Sequence, residues 1–305
     1  CRLLNYDKIM NSNMEYPYNY TSVIESNLTV KKIQKKYDEP MSRGEAAILI
    51  CNTLHAVPYT IKNMNGAFPV YEKDDKTLLE STRDIYVRRG VLEAVEQNSI
   101  YYVPKGYDEV KDTVVISGNK YNYNTERLTP SYFIGTSVEY YIDNSNDQEL
   151  CVFMVHSKNN PNIISYDVDD IADITAGYIT ANENSRKKIK ISDKAMLMYN
   201  GVSYGLYKNC FNVIEDNNYG FIKLADSNND NMYDVVQYTD YVNEKVKLAD
   251  ETTGILQTAS FRIDLNDIDI ACRIYKNGLE VNLAEIQKED MLSISKSKNT
   301  DGLVC

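Results

Sequence analysis

Four side chains that carry ligand oxygens recur at short intervals between residues 224 and 236. Asp226, Asn228, Asp230 and Asp234 occupy the first, third, fifth and ninth positions of one loop. This spacing allows carboxylate and amide oxygens to converge on a hard cation such as Ca²⁺. The sequence therefore predicts a calcium site made of these four side chains. It leaves open the alternative that Asp and Asn only build a polar hairpin turn.

Strands rather than helices are expected on both sides of this acidic loop. Apolar residues dominate positions 221–224 and 235–238, in short runs typical of strands. An EF-hand is excluded because its twelfth position is Gln237, which lacks the bidentate carboxylate that such a site needs. The loop resembles the calcium loops of integrin-type propeller blades, which join two strands, with Asn231 where glycine is usual. Since Asn also suits a left-handed turn, the resemblance implies a calcium-binding hairpin in which the backbone carbonyl of Met232 is a fifth ligand.

Composition limits what the chain is expected to bind. Its 305 residues suffice for two or three domains, and 43% hydrophobic with 25% charged residues is ordinary for a protein that folds. A formal net charge of −11 repels phosphate backbones and attracts divalent cations, so nucleic acid is not an expected partner. No run approaches the roughly 18 apolar residues of a membrane span, and none is predicted.

The first 57 residues carry the clearest helix signals. Ser42 and Glu45 form a capping-box pattern after Pro40, and the helix that they open is expected to end at Val57 and Pro58. A shorter helix is expected over residues 18–25. The buried face of the longer helix is predicted to consist of Ala46, Ala47, Ile50, Cys51 and Leu54.

From about residue 59 onward apolar and polar residues alternate, which is the period of a strand. Hairpin turns are predicted at Gly118-Asn119, Asn200-Gly201 and Asn277-Gly278, because Gly and Asn tolerate positive φ. The predicted fold is α+β and predominantly β: a helical segment over 1–57, then two or three small antiparallel barrel or sandwich modules, one over 58–160 and the others, with the calcium-type hairpin, over 161–305. The strand candidates are residues 84–95, 100–103, 113–117, 138–142, 150–156, 187–191, 195–199 and 291–295.

Residues 40–50, which read Pro-Met-Ser-Arg-Gly-Glu-Ala-Ala-Ile-Leu-Ile, resemble the helix start of an S-layer homology domain. The region that follows resembles the β-rich part of clostridial surface proteins. In that family three repeats form a helical trefoil that holds a pyruvylated secondary cell-wall polysaccharide, and the resemblance implies that Arg43 contacts the acidic sugar. Ser42 and Gly44 stand where the family has Thr and Ala, and one repeat is present. The alternative is that Ser42 and Glu45 only cap the helix and Arg43 is solvated.

One sequence pattern typical of catalysis is present, but the neighbouring elements that catalysis requires are not predicted around it. Residues 201–205 fit the G-x-S-x-G pattern of serine hydrolases around Ser203, yet that motif needs a strand that enters a helix and a later histidine. Here Asn200-Gly201 is a predicted hairpin turn, and His55 and His156 both precede Ser203. The six cysteines include no C-x-x-C pair, which argues against a zinc ribbon, while disulfides stay possible and buried, unpaired cysteines are favoured. The chain is not expected to be an enzyme.

These observations favour a non-catalytic structural protein of the bacterial cell surface, anchored to wall polysaccharide, assembling with copies of itself in an extracellular scaffold and stabilised by Ca²⁺. A carbohydrate-binding or adhesin module is the first alternative, and a glycosidase that uses two carboxylates is the second. Scaffolding predicts flat contacts between subunits, carbohydrate binding predicts a tyrosine-lined groove, and hydrolysis predicts a cleft with an acid of raised pKa.

Overall fold

The computed structural model describes residues 2–10, 13–27, 30–33, 39–95, 98–101, 112–125, 128–157, 163–182, 187–217, 219–267, 270–272, 274–276, 279–299 and 302–304. The chain divides into two compact units. The first unit holds residues 1–86 and 142–149, and the second holds residues 87–141 and 150–305. The three-segment organisation suggested by the sequence stays a prediction.

The first unit contains the three longer helical segments of its described residues and one two-stranded sheet. A small core of Leu4, Tyr6, Val23, Ala56 and Leu78 holds it together. The Tyr6 and Tyr59 rings meet edge to face with centroids 5.9 Å apart. Its elements are α1 (Tyr18–Ser26), α2 (Arg43–Leu54), β1 (Tyr59–Asn65), β2 (Phe68–Lys73) and α3 (Leu78–Arg83).

Helix α2 begins where the sequence predicts, but none of its residues is fully buried. The capping box is confirmed: the Ser42 hydroxyl accepts from the Glu45 amide, and the Glu45 carboxylate accepts from the Ser42 amide. The predicted buried face is wrong, because Ala47, Ile50 and Cys51 are exposed and Ala46 and Leu54 are only half-buried. The reason is that the core of this unit lies beyond the helix, at Ala56 and Leu78, so only the last turn of α2 reaches it.

The second unit contains a six-stranded sheet with the strand order β4-β3-β5-β6-β8-β7. Strand β3 also pairs with β7, so the pairing path runs from β3 through β5, β6, β8 and β7 and returns to β3. Buried side chains on these strands include Leu92, Val114, Ile116, Val138 and Tyr140. The strands are β3 (Ile85–Val95), β4 (Asn98–Ser99), β5 (Thr113–Ile116), β6 (Asn119–Tyr123), β7 (Ser137–Asp143) and β8 (Leu150–His156).

A seven-stranded sheet follows, with the order β10-β11-β12-β15-β14-β9 and β13 paired to β12. Its core includes Ile189, Leu197, Ile222, Leu224 and Val236, all buried. Two short helices, α4 (Tyr207–Cys210) and α5 (Asn212–Asn217), connect β13 to β14. The strands are β9 (Ile163–Asp167), β10 (Ile171–Ile174), β11 (Tyr178–Ala181), β12 (Lys188–Tyr199), β13 (Val202–Leu206), β14 (Phe221–Ala225) and β15 (Tyr233–Thr239).

Short strands complete the second unit in sheets of two or three strands around a core of Val246, Leu256, Ile263, Leu283 and Ile286. The chain is therefore mostly β, with several sheets and few helices, as the sequence predicts. The strands are β16 (Val242–Lys245), β17 (Leu248–Asp250), β18 (Ile255–Gln257), β19 (Arg262–Asp264), β20 (Ile270–Ala271), β21 (Ile274–Lys276), β22 (Leu279–Val281), β23 (Met291–Ile294), β24 (Ser297–Asn299) and β25 (Gly302–Val304).

The expectation of purely antiparallel modules needs correction. Among the described residues, parallel pairs include β6 with β8, β12 with β15, and β20 with β25. Alternating sequence patterns do not reveal this, because the alternation marks which face is buried and not the direction of the neighbouring strand.

Two of the predicted hairpins are confirmed. Asn200 (φ 46°) and Gly201 (φ 82°) connect β12 to β13, with Tyr199 paired to Val202. The turn between β5 and β6 lies one residue earlier than predicted, at Ser117 (φ 46°) and Gly118 (φ 79°). The third turn, at residues 277–278, lies outside the described residues, although Lys276 pairs with Leu279 across it. The candidate strand over 100–103 also falls largely outside the described residues.

Candidate functional site

The acidic loop connects β14 to β15, as its flanking strands predict, with Ala225 paired to Val235 at its base. Asp226 lies at the centre of this turn and is 3% exposed. Its Oδ1 accepts from the amides of Asn228 (3.3 Å), Asn229 (2.7 Å) and Asp230 (3.3 Å), and its Oδ2 accepts from the amide of Asn231 (2.9 Å). Asn229 and Asn231 adopt left-handed φ values of 61° and 65°, which wrap the backbone around this carboxylate.

The other predicted ligands fold onto the same turn. Asn228 Oδ1 accepts from the Asp230 amide at 2.9 Å, and Asp230 Oδ1 accepts from the Met232 amide at 2.8 Å. Asn228 Nδ2 also donates to Asp230 Oδ2 at 3.2 Å. Asp234 Oδ2 accepts from the amide and the hydroxyl of Ser227, at 3.1 and 2.9 Å. The structure thus brings the four predicted side chains into one loop.

The oxygen atoms of this loop suit a hard cation, but in the structure they accept hydrogen bonds from the backbone amides of the same loop. Every donor atom in the set is oxygen, which is what Ca²⁺ selects. Within the described ranges, however, no group of three or more His, Cys, Asp or Glu side chains is placed to hold a metal ion. The carboxylates instead accept hydrogen bonds from loop amides, as the polar-turn alternative requires. Calcium binding at Asp226, Asn228, Asp230, Met232 and Asp234 stays a prediction.

Arg43 is the first residue of α2 and is exposed. It shares one stripe of the helix with Ala47, Ile50 and Cys51, since residues spaced by three or four lie above one another on a helix. Ile50 is 62% exposed, and so this stripe presents an apolar surface with a guanidinium group at its amino-terminal end.

Ser203 does not occupy a nucleophile elbow. It lies in β13 after a hairpin turn, and its Oγ accepts from the Ser99 amide at 2.9 Å and lies 3.5 Å from the Ser99 carbonyl oxygen. Asn98 Nδ2 donates to the Gly201 carbonyl beside it. The motif therefore joins β13 to β4, and its serine serves a structural contact.

The two histidines are engaged elsewhere. His156 Nδ1 lies 3.2 Å from Thr136 Oγ1, and its ring packs on Phe133 with centroids 4.8 Å apart. Burial, and to a smaller degree the Lys223 ammonium, lowers the pKa of His156. His55 lies in the first unit, where its Nδ1 is 2.8 Å from the Cys51 carbonyl oxygen. The arrangement offers no support for a serine nucleophile activated by histidine.

An open pocket with a cavity volume of about 150 Å³ lies in the second unit and was not predicted from the sequence. It opens where the carboxyl ends of β12 and β15 meet the β16–β23 pair, so three tyrosines and two carboxylates from distant segments converge. Tyr219 and Tyr241, 46% and 43% exposed, leave much of their side chains uncovered. The lining residues are Tyr199, Tyr219, Asp240, Tyr241, Val242, Glu244, Ser260, Ile294 and Lys296.

Hydrogen bonds fix the floor of this tyrosine pocket. Asp240, 8% exposed, accepts from the Tyr199 hydroxyl at 2.8 Å and from Asn200 Nδ2 at 2.5 Å. The Asp240 amide donates to Asn200 Oδ1 at 2.9 Å, and Asn200 Nδ2 also donates to the Lys296 carbonyl at 2.7 Å. The Tyr199 ring stacks on Tyr238, with centroids 5.4 Å apart and planes within 10°. Burial, helped by the hydrogen bond to Asp240, raises the pKa of Tyr199.

The opposite wall carries a strongly hydrogen-bonded carboxylate. Glu244 accepts from the hydroxyls of Ser260 and Thr258 and, at 3.1 Å, from the Ser260 amide. These donors, the Ser260 hydroxyl first, lower the pKa of Glu244 to about 2. Lys296 places its ammonium 4.2 Å from the centre of the Phe261 ring. The wall therefore presents one anion and one cation, each held in place by neighbours.

None of the comparisons with protein-family models, curated proteins and solved structures gave a match. Among the described residues, no helix is both long enough and apolar enough to cross a membrane.

Proposed function

We propose that this chain is a non-catalytic structural protein of the bacterial cell surface. It associates with secondary cell-wall polysaccharide and with copies of itself through an α2 segment that resembles an S-layer homology repeat. Its β region forms small barrel or sandwich modules, stiffened by Ca²⁺ at the acidic loop. The pairing path that returns to β3 supports a closed module in the first large sheet.

The observation that carries this proposal is the exposed stripe of α2. A helix normally turns its apolar face toward other protein, and here Ala47, Ile50 and Cys51 face solvent within a twelve-residue helix. An exposed apolar stripe indicates a surface that another chain covers. The S-layer homology family that α2 resembles builds its trefoil from three repeats, and we propose that α2 segments of other copies of the chain pack on this stripe.

Arg43 supports the polysaccharide partner. It is exposed at the amino terminus of α2, where the first helical amides and the helix dipole favour anions. A guanidinium group binds carboxylates in a bidentate fashion, which suits the pyruvyl substituent of an acidic wall glycan. Neighbouring α2 helices would complete the groove around it.

The acidic loop supports stabilisation by calcium through its donor set. Extracellular calcium is plentiful enough to occupy weak sites with dissociation constants of about 10⁻⁴ to 10⁻³ M. A cation among Asp226, Asp230 and Asp234 would relieve repulsion between three carboxylates in one short turn. It would also fix the geometry of the β14–β15 hairpin.

The second candidate function is carbohydrate binding as such, which the tyrosine pocket favours. The same pocket gives less support to glycoside hydrolysis. A glycosidase needs an acid whose pKa is raised, whereas the Glu244 carboxyl in this pocket has a pKa lowered to about 2.

The full chain tests the proposal in two assays. Sedimentation velocity reports self-association, and co-sedimentation with purified pyruvylated wall polysaccharide, beside the same glycan after chemical removal of pyruvate, reports anchoring. We expect Ile50→Asp to shift the chain toward monomer, while Ile61→Asp, at an exposed apolar position of β1 in the same unit, leaves assembly unchanged. We expect Arg43→Ala to weaken glycan binding and Arg83→Ala, in the last turn of α3, to leave it unchanged. A monomer that binds neither glycan would refute the proposal.

A further inference from the structure

We infer that the tyrosine pocket of the second unit is a binding site for a neutral sugar ring. This inference does not depend on wall anchoring through α2, because the pocket and Arg43 lie in different units of the chain.

The pocket is built before any ligand arrives. Both carboxylate oxygens of Asp240 are engaged, by Tyr199 and Asn200, and the Ser295 hydroxyl donates to the Asp240 carbonyl at 2.7 Å. Strand β16 is held to β23 by pairs that include Val242 with Ile294. A site whose lining is already ordered loses little conformational entropy when it binds, and so retains more of its interaction energy.

Tyr219 and Tyr241 supply the apolar contacts. Each ring is somewhat less than half exposed at the edge of the pocket, so a flat ligand can lie against it without displacing protein. Tyrosine combines an apolar ring face with a hydroxyl group at its tip. A pyranose has the matching character, with C–H groups on its ring faces and hydroxyls around its rim. Stacking between the two surfaces therefore places sugar hydroxyls beside the polar lining.

Glu244, Ser260 and Lys296 supply the polar contacts. The Glu244 carboxylate offers acceptor lone pairs beyond those used by Ser260 and Thr258, and the Lys296 ammonium carries three donors. A sugar hydroxyl both donates and accepts, so it can bridge such a pair. This combination of acceptors, donors and aromatic faces fits a polyhydroxylated ring better than a purely apolar ligand.

Charge in the lining selects a neutral ligand. The lining contains two carboxylates, Asp240 and Glu244, and one ammonium, Lys296, so its net negative charge repels an acidic sugar. Aromatic rings beside carboxylates can also form a cage for an ammonium ligand. Lys296 opposes that occupant, because its own positive charge is part of the lining. A neutral saccharide is the ligand class that meets no charge penalty.

The full chain is tested on an array of neutral glycans and by saturation-transfer NMR with methyl glucoside, methyl galactoside and N-acetylglucosamine. We expect at least one neutral sugar to bind. Tyr219→Ala and Tyr241→Ala should each weaken its affinity by about five- to tenfold, the size of one aromatic contact. Tyr275→Ala is the matched control, since Tyr275 is equally exposed and lies outside the pocket.

The pocket variants should fold like the wild type, so a loss of sugar binding would not result from unfolding. The Tyr238 hydroxyl bonds the backbone carbonyl of Tyr219, a contact that Tyr219→Ala retains, and equal thermal melts would verify it. Arg43→Ala should leave neutral-sugar binding unchanged, so failure here and failure of wall anchoring are distinguishable. The inference is overturned if no neutral glycan binds, if Tyr275→Ala weakens binding as much as the pocket variants, or if tetramethylammonium chloride binds the pocket and sugars do not.

Discussion

Substitutions in the acidic loop separate a calcium site from a self-bonded turn when they are compared with and without the metal. Asp226→Ala removes an acceptor for four loop amides, two of them at 2.7 and 2.9 Å. Hydrogen bonds to a charged group contribute about 1.5 to 3 kcal/mol each, and water can replace part of this in an exposed loop, so we expect a loss of about 2 to 4 kcal/mol. This loss should occur in chelator as well as in calcium.

Asp230→Asn is the discriminating variant. The amide that it introduces keeps an oxygen for the Met232 amide, which now bonds Asp230 Oδ1 at 2.8 Å, and it gives up only the exposed 3.2 Å contact from Asn228 Nδ2. In chelator the free energy of unfolding should therefore change by less than about 0.5 kcal/mol. If the loop binds calcium with a dissociation constant of about 0.1 to 1 mM, about 10 mM Ca²⁺ stabilises the wild type by about 1.4 to 2.7 kcal/mol.

The assay is a thermal melt of the full chain in 10 mM calcium and in chelator. For a unit of this size we expect calcium to raise the wild-type Tm by about 3 to 11 °C. Asp230→Asn should lose most of that increase. Asp250→Asn is the control, because Asp250 caps an exposed turn through the Thr252 and Thr253 amides without being a predicted ligand. Equal wild-type melts in both buffers, or a calcium response that survives Asp230→Asn, would refute the metal site and leave the polar turn.

Three further outcomes follow from local chemistry. Because hydrogen bonds lower the pKa of Glu244 to about 2, its contribution to stability is complete above about pH 4.5 and is lost as the pH falls toward 2. In urea melts, the free energy of unfolding of Glu244→Gln should therefore change less between pH 7 and pH 3 than that of the wild type. An equal change in both proteins would contradict this. A Cβ added at Gly220, whose φ is 100°, would meet the Thr239 carbonyl oxygen. Gly220→Ala should therefore lower the free energy of unfolding by at least about 1 kcal/mol in denaturant melts. Gly44→Ala, which has open space around the added Cβ, should not lower it. Burial raises the pKa of the Cys151 thiol to about 12. A thiol reagent should therefore label exposed Cys51 in the native chain and reach Cys151 only on unfolding. Prompt labelling of Cys151 in the native chain would contradict this.

Features that depend on adjacent residues were predictable from the sequence. The Ser42 and Glu45 capping box spans four residues, and the Asn200-Gly201 turn is fixed by two residues that tolerate positive φ. The connection of β14 to β15 by the acidic loop was likewise visible in the apolar runs on each side. The six-residue helix α3, with its own capping box at Thr77 and Glu80, carries the same local signal but was not predicted.

Features that depend on distant neighbours were not predictable. The exposed stripe of α2 reverses the expected burial, because helical spacing shows which residues share a face and not whether the chain covers that face. Polar residues at 192–194 suggested two strands, yet β12 continues through them with an irregular register between Ile191 and Met196. The tyrosine pocket joins Tyr199 to Asp240, 41 residues further along the chain, and periodicity carries no signal for such a meeting.

The parallel pairing of β12 with β15 sets an order in which the chain can assemble. The β14–β15 hairpin closes locally, across the acidic loop, whereas β12 and β15 are separated along the chain by β13, α4, α5 and β14. Closing such a long connection loses chain entropy before the strand contacts that compensate for the loss can form, and this slows folding. We therefore expect the hairpin around residues 226–234 to form before the pairing of β12 with β15 at the centre of the large sheet.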